Sequence, residues 1–490
     1  MIPPRLLTDG LLRSATAFPD KAALIDSEGT CTYGQLQDSA LRLAGFLADQ
    51  GLQRGDRVAI YLDNSWLCAA AIYGVLLAGG VFVVINPQTK SAKLRYILTD
   101  CQAMALITDQ HLAIQYETAV KDLADLLVVL SAGIETPPDT ESNLVELRAV
   151  LKTSRQQKLT AKVIATDLAA LIYTSGSTGE PKGVMQTHQS MVFAAWSIIE
   201  YLEMSAEDRI LVVLPMAFDY GLYQLLMSIF VGATLVIERS FAFPGRVYEV
   251  MRNAGITVVP GVPTVFATMR SSHLKSPLSF PDVRIITNTA AALAPALLPA
   301  LGEIFPNARI FKMYGLTECK RVAYLKPDLL ATDPDSVGIA IPGTEVSLHT
   351  LSGEIAAPGE PGILHVRGPH VMVGYWNQPE LTAHMLREGP VPGERVLVTH
   401  DWFSQDENGL LRFVGRSDDI IKTRGEKVSP IEVENLLCNM DGILQAAVIG
   451  VPDEQLGEQI KAFVVADQGA QLTTNSVRRF CSLHLENFMV

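Results

Sequence analysis

The chain has 490 residues, a net charge of −13 and a charged fraction of 19%. This length exceeds what one hydrophobic core usually serves, so we expect two or more domains. The acidic balance argues against nucleic acid or an anionic membrane as the main partner. The six cysteines are scattered without a Cys-x-x-Cys pair, which indicates reduced, mostly buried thiols in a cytoplasmic protein.

Helical and strand patterns alternate along the first part of the chain. Apolar residues recur at helical spacing over Tyr33–Asp49, and a strand is predicted over 57–62 after a Gly-Asp turn. Residues 66–85 carry no charge and are long enough to span a bilayer. However, Gly79 and Gly80 divide them into a small-residue helix and a β-branched strand, so we favour a buried α/β unit over a membrane span.

Further strands are predicted over 104–108, 209–214, 233–237, 258–260, 284–287, 309–313, 362–366 and 411–414. Because most alternate with helical stretches, the sequence predicts an α/β fold. We expect a large N-terminal domain of layered α/β subdomains with a small β-rich part, over residues 1–417. A small α+β C-terminal domain follows over 418–490, with its helix opened by Ser429-Pro430.

One loop is rich in glycine and hydroxyl groups. Residues 172–185 read Ile-Tyr-Thr-Ser-Gly-Ser-Thr-Gly-Glu-Pro-Lys-Gly-Val-Met, and they follow the apolar run 168–172. Glycines let the backbone approach an anion, the hydroxyls donate hydrogen bonds, and Lys182 adds a positive charge. The spacing is not that of a P-loop. This composition therefore predicts a phosphate-binding loop, with a flexible surface loop as the alternative.

The whole string closely resembles the phosphate-binding signature of the AMP-forming adenylating enzymes. This superfamily contains acyl-CoA synthetases, peptide-synthetase adenylation domains and luciferases. The resemblance implies that the loop binds the β- and γ-phosphates of ATP while a carboxylate attacks the α-phosphate, giving an acyl-AMP and pyrophosphate. It assigns catalysis to Thr174 and Lys182, and phosphate binding to Ser175, Gly176, Ser177, Thr178 and Gly179.

Two more motifs extend the resemblance to the nucleotide. Tyr314-Gly-Leu-Thr-Glu follows the strand 309–313, and the resemblance implies that Thr317 contacts the α-phosphate and that Glu318 binds Mg²⁺. Thr399-His400-Asp401 stands where the family usually has Thr-Gly-Asp, which implies that Asp401 accepts the ribose hydroxyls. The other residues assigned to the nucleotide are Asn288, Thr289 and Ala290 of the adenine-side segment 288–292, together with Tyr314, Phe413 and Arg416.

The segment 214–221, Leu-Pro-Met-Ala-Phe-Asp-Tyr-Gly, bears on the substrate. Fatty-acyl members commonly have histidine where Phe218 stands, whereas amino-acid-activating members have Phe-Asp, so Asp219 is expected to pair with a substrate ammonium. The alternative is that Asp219 caps the following helix. The resemblance assigns the substrate to Phe218, Asp219, Tyr220, Tyr223, Pro260, Ile286, Asn288, Met313, Arg321 and Val322.

These residues resemble those of stand-alone enzymes that load proline or another small amino acid onto a carrier protein. We therefore expect a small amino acid, with L-proline favoured, and a separate acyl or peptidyl carrier protein whose phosphopantetheine thiol is the acceptor. An acyl-CoA ligase for a fatty or other organic acid, with free coenzyme A as acceptor, is the first alternative. A nucleotide-binding homologue without turnover is the second.

The resemblance also concerns the C-terminal part. It implies a hinge at Asp418 and a place for Gly425 beside the thiol in the thioester-forming pose. Family members continue beyond the pattern at 485–490 into Pro-Lys-x-x-x-Gly-Lys, whose last lysine contacts the reacting groups, and this sequence ends before that segment. We expect a truncated chain, so that the C-terminal domain is incomplete. Loss of the tail by processing and a natively impaired enzyme are the alternatives.

Overall fold

The computed structural model describes residues 4–490 except 124, 135–142, 156–161, 176–179, 292, 294–296, 417–420, 429, 467–469 and 471. The predicted residues Gly176, Ser177, Thr178, Gly179 and Asp418 lie outside the described residues, and of Arg416 only the backbone is described. The chain divides into two compact units. The first comprises Met1–Tyr173, Gly183–Thr257 and Met372–Asn377, and the second comprises Thr174–Lys182, Val258–Val371 and Gln378–Val490.

Helices occur in both units, numbered here in chain order. They are α1 (Leu7–Ala17), α2 (Tyr33–Asp49), α3 (Trp66–Leu77), α4 (Ser91–Asp100), α5 (Ala113–Val120), α6 (Leu147–Thr153), α7 (His188–Leu202), α8 (Asp219–Val231), α9 (Pro244–Asn253), α10 (Pro263–Lys275), α11 (Leu298–Ile304), α12 (Pro379–Met385), α13 (Pro430–Cys438) and α14 (Thr474–His484).

The strands up to residue 261 are β1 (Ala22–Asp26), β2 (Gly29–Thr32), β3 (Arg57–Tyr61), β4 (Val81–Ile85), β5 (Ala103–Asp109), β6 (Val128–Ala132), β7 (Leu144–Glu146), β8 (Leu168–Thr174), β9 (Lys182–Thr187), β10 (Arg209–Val212), β11 (Thr234–Ile237) and β12 (Val258–Gly261). Those that follow are β13 (Ile285–Asn288), β14 (Arg309–Tyr314), β15 (Ala323–Leu325), β16 (Ser336–Ala340), β17 (Glu345–His349), β18 (Gly362–Arg367), β19 (Gly374–Tyr375), β20 (Leu386–Glu388), β21 (Arg395–Gln405), β22 (Leu411–Arg416), β23 (Ile421–Thr423), β24 (Glu426–Val428), β25 (Ile443–Asp453) and β26 (Gly457–Ala466).

The first unit contains a sheet in the order β19-β9-β8-β4-β3-β5-β6-β7. Its central strands β4, β3, β5 and β6 run parallel. The uncharged stretch 66–85 becomes helix α3 and strand β4, whose residues are almost all buried. No helix among the described residues is long and apolar enough to cross a membrane. The absence of charge over 66–85 is therefore explained by burial inside an α/β unit.

The second unit orders its strands β17-β18-β21-β22-β16-β15-β14-β13-β12, and a smaller sheet follows the order β24-β23-β26-β25. Strands β12, β13 and β14 run parallel, with Gly261 beside Asn288 and Asn288 beside Lys312. The carboxyl ends of these strands therefore meet at one edge of the sheet, where Pro260, Asn288 and Tyr314 lie. Open α/β sheets commonly bind ligands at such an edge.

The predicted α/β class is confirmed, and helix α2 has the predicted bounds. Strand β10 ends at Val212 rather than at residue 214. The capping alternative for Asp219 is wrong, because Phe218 occupies the N-cap position and Asp219 is the first residue of α8. Five of the six cysteines are buried and Cys438 is exposed. Burial raises the pKa of Cys31, Cys68 and Cys101 to about 12, so these thiols stay protonated at neutral pH.

Candidate active site

An ion pair connects the lysine of the glycine-rich loop with the Tyr314-Gly-Leu-Thr-Glu motif. Lys182 Nζ lies 3.6 Å from Glu318 Oε1, and both side chains are largely shielded from solvent. Glu318 is 8% exposed. Two residues that were assigned to phosphate and to Mg²⁺ are therefore neighbours within the second unit.

Glu318 lies on a tight connection between β14 and β15. The two strands pair antiparallel with Tyr314 opposite Ala323, and Val322 N–H donates to the Tyr314 carbonyl over 2.9 Å. Gly315 is required here, because a Cβ at this position would lie 2.2 Å from the Lys320 carbonyl oxygen. The compact turn thus holds Thr317 and Glu318 directly beyond the carboxyl end of β14.

Asp401 is held inside the second unit beside Tyr314. Its side chain is 1% exposed, and the Tyr314 hydroxyl donates a hydrogen bond to Asp401 Oδ2. The Tyr314 ring meets Phe403 edge to face at 4.7 Å between centroids, and Phe403 meets Phe413 in the same manner at 5.4 Å. Three residues that were assigned to the nucleotide, Tyr314, Asp401 and Phe413, therefore belong to one cluster.

The adenine-side segment follows β13. Asn288 ends this strand and is 1% exposed, Thr289 is 6% exposed, and Ala290 has the left-handed φ of +74°. Arg321 Nη1 donates to Thr289 Oγ1 over 2.5 Å, which joins this segment to the β14–β15 connection. Arg321 is 2% exposed and its neighbour Lys320 is 5% exposed, so two cations are buried next to Glu318 in sequence.

The residues that were assigned to the substrate belong to both units. In the first unit, Phe218 precedes α8, Asp219 begins it, and Tyr220 and Tyr223 are buried along it. In the second unit, five of these residues are buried near the carboxyl ends of β12, β13 and β14 or at the start of β15, namely Pro260, Ile286, Asn288, Met313 and Val322.

Gly425 lies close to the residue that follows β12. Its φ is +81°, and a Cβ there would lie 2.8 Å from Val262 Cγ1. Lys422, in the neighbouring strand β23, places Nζ 5.0 Å from the centre of the Phe413 ring. Residues of the C-terminal sheet thus contact both the β12–α10 junction and the cluster around Asp401.

The polar atoms of these residues fit a nucleotide and Mg²⁺. The Thr174 hydroxyl and the Asn288 amide nitrogen are buried, and neither has a hydrogen-bond partner among the residues described. Such groups are stabilised when a polar ligand binds. Within the described part of the chain no three side chains form a metal site, but Mg²⁺ on a nucleotide takes only one or two carboxylates besides phosphate oxygens and water. Glu318 can supply that carboxylate.

Three residues of this region were not predicted from the sequence. The burial of Lys320 and the hydrogen bonds of Thr399 depend on how the turn and the strand β21 fold. His384 lies on α12 and stacks on His400, a contact that joins residues without a common motif. Thr399 stood inside a recognised motif and Lys320 lay two residues beyond one, so their positions were usable signals, whereas His384 offered none.

Comparisons with known proteins agree with this geometry. A family model described as "AMP-binding enzyme" matches residues 11–376, and one described as "AMP-binding enzyme C-terminal domain" matches residues 432–490. A long-chain-fatty-acid–CoA ligase of Bacillus subtilis is 32% identical over 520 residues, which cover 100% of this chain and 90% of the relative.

Solved structures give the same result. The crystal structure of VinN is 35% identical with a TM-score of 0.75, and the match covers 85% of this chain and 100% of VinN. A complex of VinN with L-aspartate also matches, with a TM-score of 0.72. An o-succinylbenzoate CoA synthetase of Bacillus subtilis has a TM-score of 0.85 over 100% of this chain and 94% of its own, and at 24% identity it supports the fold. The chain belongs to the AMP-binding enzyme family and is an AMP-forming acid–thiol ligase.

Proposed function

We propose that this ligase activates a small amino acid with ATP and Mg²⁺ and passes it to the phosphopantetheine thiol of a separate carrier protein. Asp219 carries the proposal. It is partly buried at the start of α8, and its side chain has no hydrogen-bond or ion-pair partner among the described residues of its own unit. A carboxylate in an apolar region is stabilised by a cation, which the ammonium of an amino acid supplies. The match to VinN bound to L-aspartate supports this substrate class.

The first half-reaction uses charge neutralisation and positioning. In the proposed roles, Thr174 and Lys182 bind phosphate, Glu318 binds Mg²⁺, Thr317 contacts the α-phosphate, and Asp401 holds the ribose together with Arg416. The substrate carboxylate is already ionised, so it attacks the α-phosphorus without a general base and pyrophosphate leaves.

The second half-reaction transfers the acyl group. The thiol sulfur attacks the carbonyl carbon of the aminoacyl-AMP, a thioester bond forms, the carbon–oxygen bond to phosphate breaks, and AMP leaves. We propose that rotation about Asp418 brings Gly425 beside the incoming thiol. Motions of this kind commonly separate the two steps of such enzymes.

Pyrophosphate exchange by the full-length protein tests the substrate class. We expect exchange with an amino acid, and we expect Asp219→Ala to lower it about 100-fold or more, because a buried ammonium loses its counter-ion. Glu117→Gln, which changes an exposed carboxylate of helix α5, is the matched control and should leave exchange unchanged. Exchange with a long-chain fatty acid that is insensitive to Asp219→Ala would favour the acyl-CoA ligase. ATP binding without exchange for any carboxylate would favour the non-catalytic homologue.

The acceptor is tested separately after activation. We expect a phosphopantetheine-bearing carrier protein encoded near this gene to accept the amino acid as a thioester. Free coenzyme A at the same concentration should be a poorer acceptor. Equal or faster formation of an acyl-CoA would contradict the carrier-protein proposal while leaving the amino-acid proposal intact.

The identity of the amino acid has two candidates. The resemblance of the motifs favours L-proline. The match to VinN bound to L-aspartate favours an amino acid with a second carboxylate, for which the guanidinium of Arg321 is the proposed partner. Arg321→Met should lower exchange with L-aspartate far more than with L-proline if the second candidate is right. Lys326→Met, at an exposed lysine nearby, is the control.

A further inference from the structure

Strand β21 contains a bulge at the Thr399-His400-Asp401 motif. Between Val398 and Trp402 the strand advances four residues, while its partner β18 advances two, from His365 to Ile363. The Thr399 hydroxyl stabilises the bulge with two hydrogen bonds. It donates to the Leu364 carbonyl over 2.9 Å and accepts from the Asp401 N–H over 3.1 Å. Bulges of this kind change the direction in which their side chains point.

His400 has a backbone conformation that histidine disfavours. Its φ is +58°, in the left-handed region, although it lies inside a strand. Glycine adopts this conformation without steric cost, whereas a residue with a Cβ pays for it. Because histidine stands where the family usually has glycine, another interaction is needed to offset the strain of this φ.

The imidazole of His400 supplies such an interaction. It stacks on His384 of helix α12, with 4.7 Å between the ring centroids and 11° between the planes. His384 is exposed and His400 is partly buried, so the stacked pair covers the bulge from the solvent side. This contact ties the bulge to an element outside the sheet.

The bulge determines where the Asp401 carboxylate lies. Asp401 follows His400 directly, is 1% exposed, and accepts the hydrogen bond of the Tyr314 hydroxyl. A shift of the bulge backbone would move this carboxylate relative to Tyr314. Hydrogen bonds to a carboxylate lose strength steeply when their angle or length departs from the optimum.

We propose that His400 is a positioning residue, which acts through its stack on His384 to hold Asp401 in the orientation that binds the ribose hydroxyls. The inference rests on the ribose role proposed for Asp401. It makes the histidine a determinant of how well the enzyme distinguishes ATP from a nucleotide that lacks a ribose hydroxyl. His400 itself does not touch the reacting atoms.

Equilibrium binding of ATP and 2′-deoxyATP to the protein, without the carboxylate substrate, tests the inference. We expect the protein to prefer ATP by about tenfold or more, the size of a lost hydrogen bond to a charged group. His400→Ala and His384→Ala should each reduce this preference at least threefold, because each removes one ring of the stack and leaves the strained backbone, whereas His384→Phe, which keeps an aromatic ring for the stack, should retain it. His484→Ala is the matched control, since it removes one ring of the pair Phe480–His484 on helix α14, outside this sheet.

Further variants separate the ring from the backbone. Glycine adopts the left-handed φ without strain and needs no stack to hold it, so His400→Gly should retain the ribose preference that His400→Ala loses. His400→Gly relieves backbone strain, and its melting temperature should not fall, which distinguishes positioning from a general loss of structure. Full ribose preference in both His400→Ala and His384→Ala would overturn the inference.

Asp401→Asn shows how much of the preference for ATP depends on the Asp401 carboxylate. If this change abolishes the preference for ATP while His400→Ala and His384→Ala retain it, the ribose role stands and the positioning role of His400 is wrong. If Asp401→Asn itself retains the preference, the ribose role of Asp401 is wrong, and the positioning inference falls with it.

Discussion

Lys182 and Glu318 form an ion pair that a nucleotide with its metal would rearrange. The 3.6 Å separation is longer than a charge-assisted hydrogen bond, which leaves both groups able to exchange partners. In the proposed roles, Lys182 would turn to phosphate and Glu318 to Mg²⁺. The pair therefore places a cation and an anion close together without a tight hydrogen bond between them.

Replacing Glu318 should strongly slow pyrophosphate exchange. We expect Glu318→Gln to lower the rate of pyrophosphate exchange by about two to three orders of magnitude, because one electrostatic contact to the developing charge is lost. The rate is measured at saturating substrate over a range of Mg²⁺ concentrations. Glu117→Gln, at the exposed carboxylate of helix α5, should keep the wild-type rate. A Glu318→Gln enzyme with unchanged rate and Mg²⁺ dependence would rule out the metal role.

A buried histidine makes the protein sensitive to acid. His188 is 1% exposed and accepts the Leu7 N–H at Nδ1 over 3.3 Å, and burial lowers its pKa to about 4. The unfolded chain takes up a proton near pH 6.5, whereas the folded chain takes it up only near pH 4. Between these values the unfolded state binds more protons, so the free energy of unfolding falls as the pH falls.

His188→Gln should reduce this loss. The glutamine carbonyl can still accept a hydrogen bond but does not titrate, and up to about 3 kcal/mol of the acid-induced loss in the free energy of unfolding should disappear by pH 4. Urea unfolding at pH 7, 5.5 and 4 measures the effect. His484→Gln, at an exposed histidine of α14, should show the wild-type pH dependence. Identical curves for both variants would contradict the role of His188.

Individual elements differed in how well the sequence predicted them. Helix α2 was predicted with correct bounds because its apolar spacing is a local signal. In the structure the Thr32 hydroxyl caps its start by accepting from Gln35 N–H. Strand β21 could not be foreseen as bulged, because its register depends on pairing with β18 rather than on its own residues. The stack of His384 on His400 could not be predicted for the same reason, since it depends on how helix α12 packs against β21 in the folded chain.

The contact between Gly425 and Val262 predicts an effect at the level of the two elements. Gly425→Ala would place a Cβ 2.8 Å from Val262 Cγ1 and would strain a residue whose φ is +81°. Overpacking of this kind costs about 1–3 kcal/mol. We expect slower thioester formation with little change in pyrophosphate exchange, as measured by separate half-reaction assays.

The double variant Gly425→Ala/Val262→Ala separates steric overlap from backbone strain. It should recover part of the thioester-forming rate, because the overlap is removed while the unfavourable φ remains. Val262→Ala alone is the control for loss of the valine side chain. If the single Gly425→Ala variant slows both half-reactions equally, the contact serves the stability of the fold rather than the second step.

For the whole molecule, the α/β class could be predicted from the alternation of helical and strand patterns, and the AMP-forming ligase activity could be predicted from long motifs. The glycine-rich loop, Glu318 and Asp401 were identified from strings that keep their chemistry in any context. The substrate was harder to predict because it depends on side chains from distant parts of the sequence, and Lys320 shows why: in a sequence a lysine is expected to be exposed, yet here it is 5% exposed. The burial of such a residue results from packing between distant segments of the chain, which the local sequence does not specify.

The bulge in β21 limits how this strand can change in length. Side chains of a strand alternate between its two faces, so the loss of one residue between Val398 and Trp402 would reverse the faces of all that follows. Phe403, fully buried, would then point to the opposite side. A deletion of two residues would keep the alternation but remove the bulge and with it the placement of Asp401. Insertions or deletions of an odd number of residues are therefore excluded here by parity, and the two-residue deletion is excluded by the placement of Asp401.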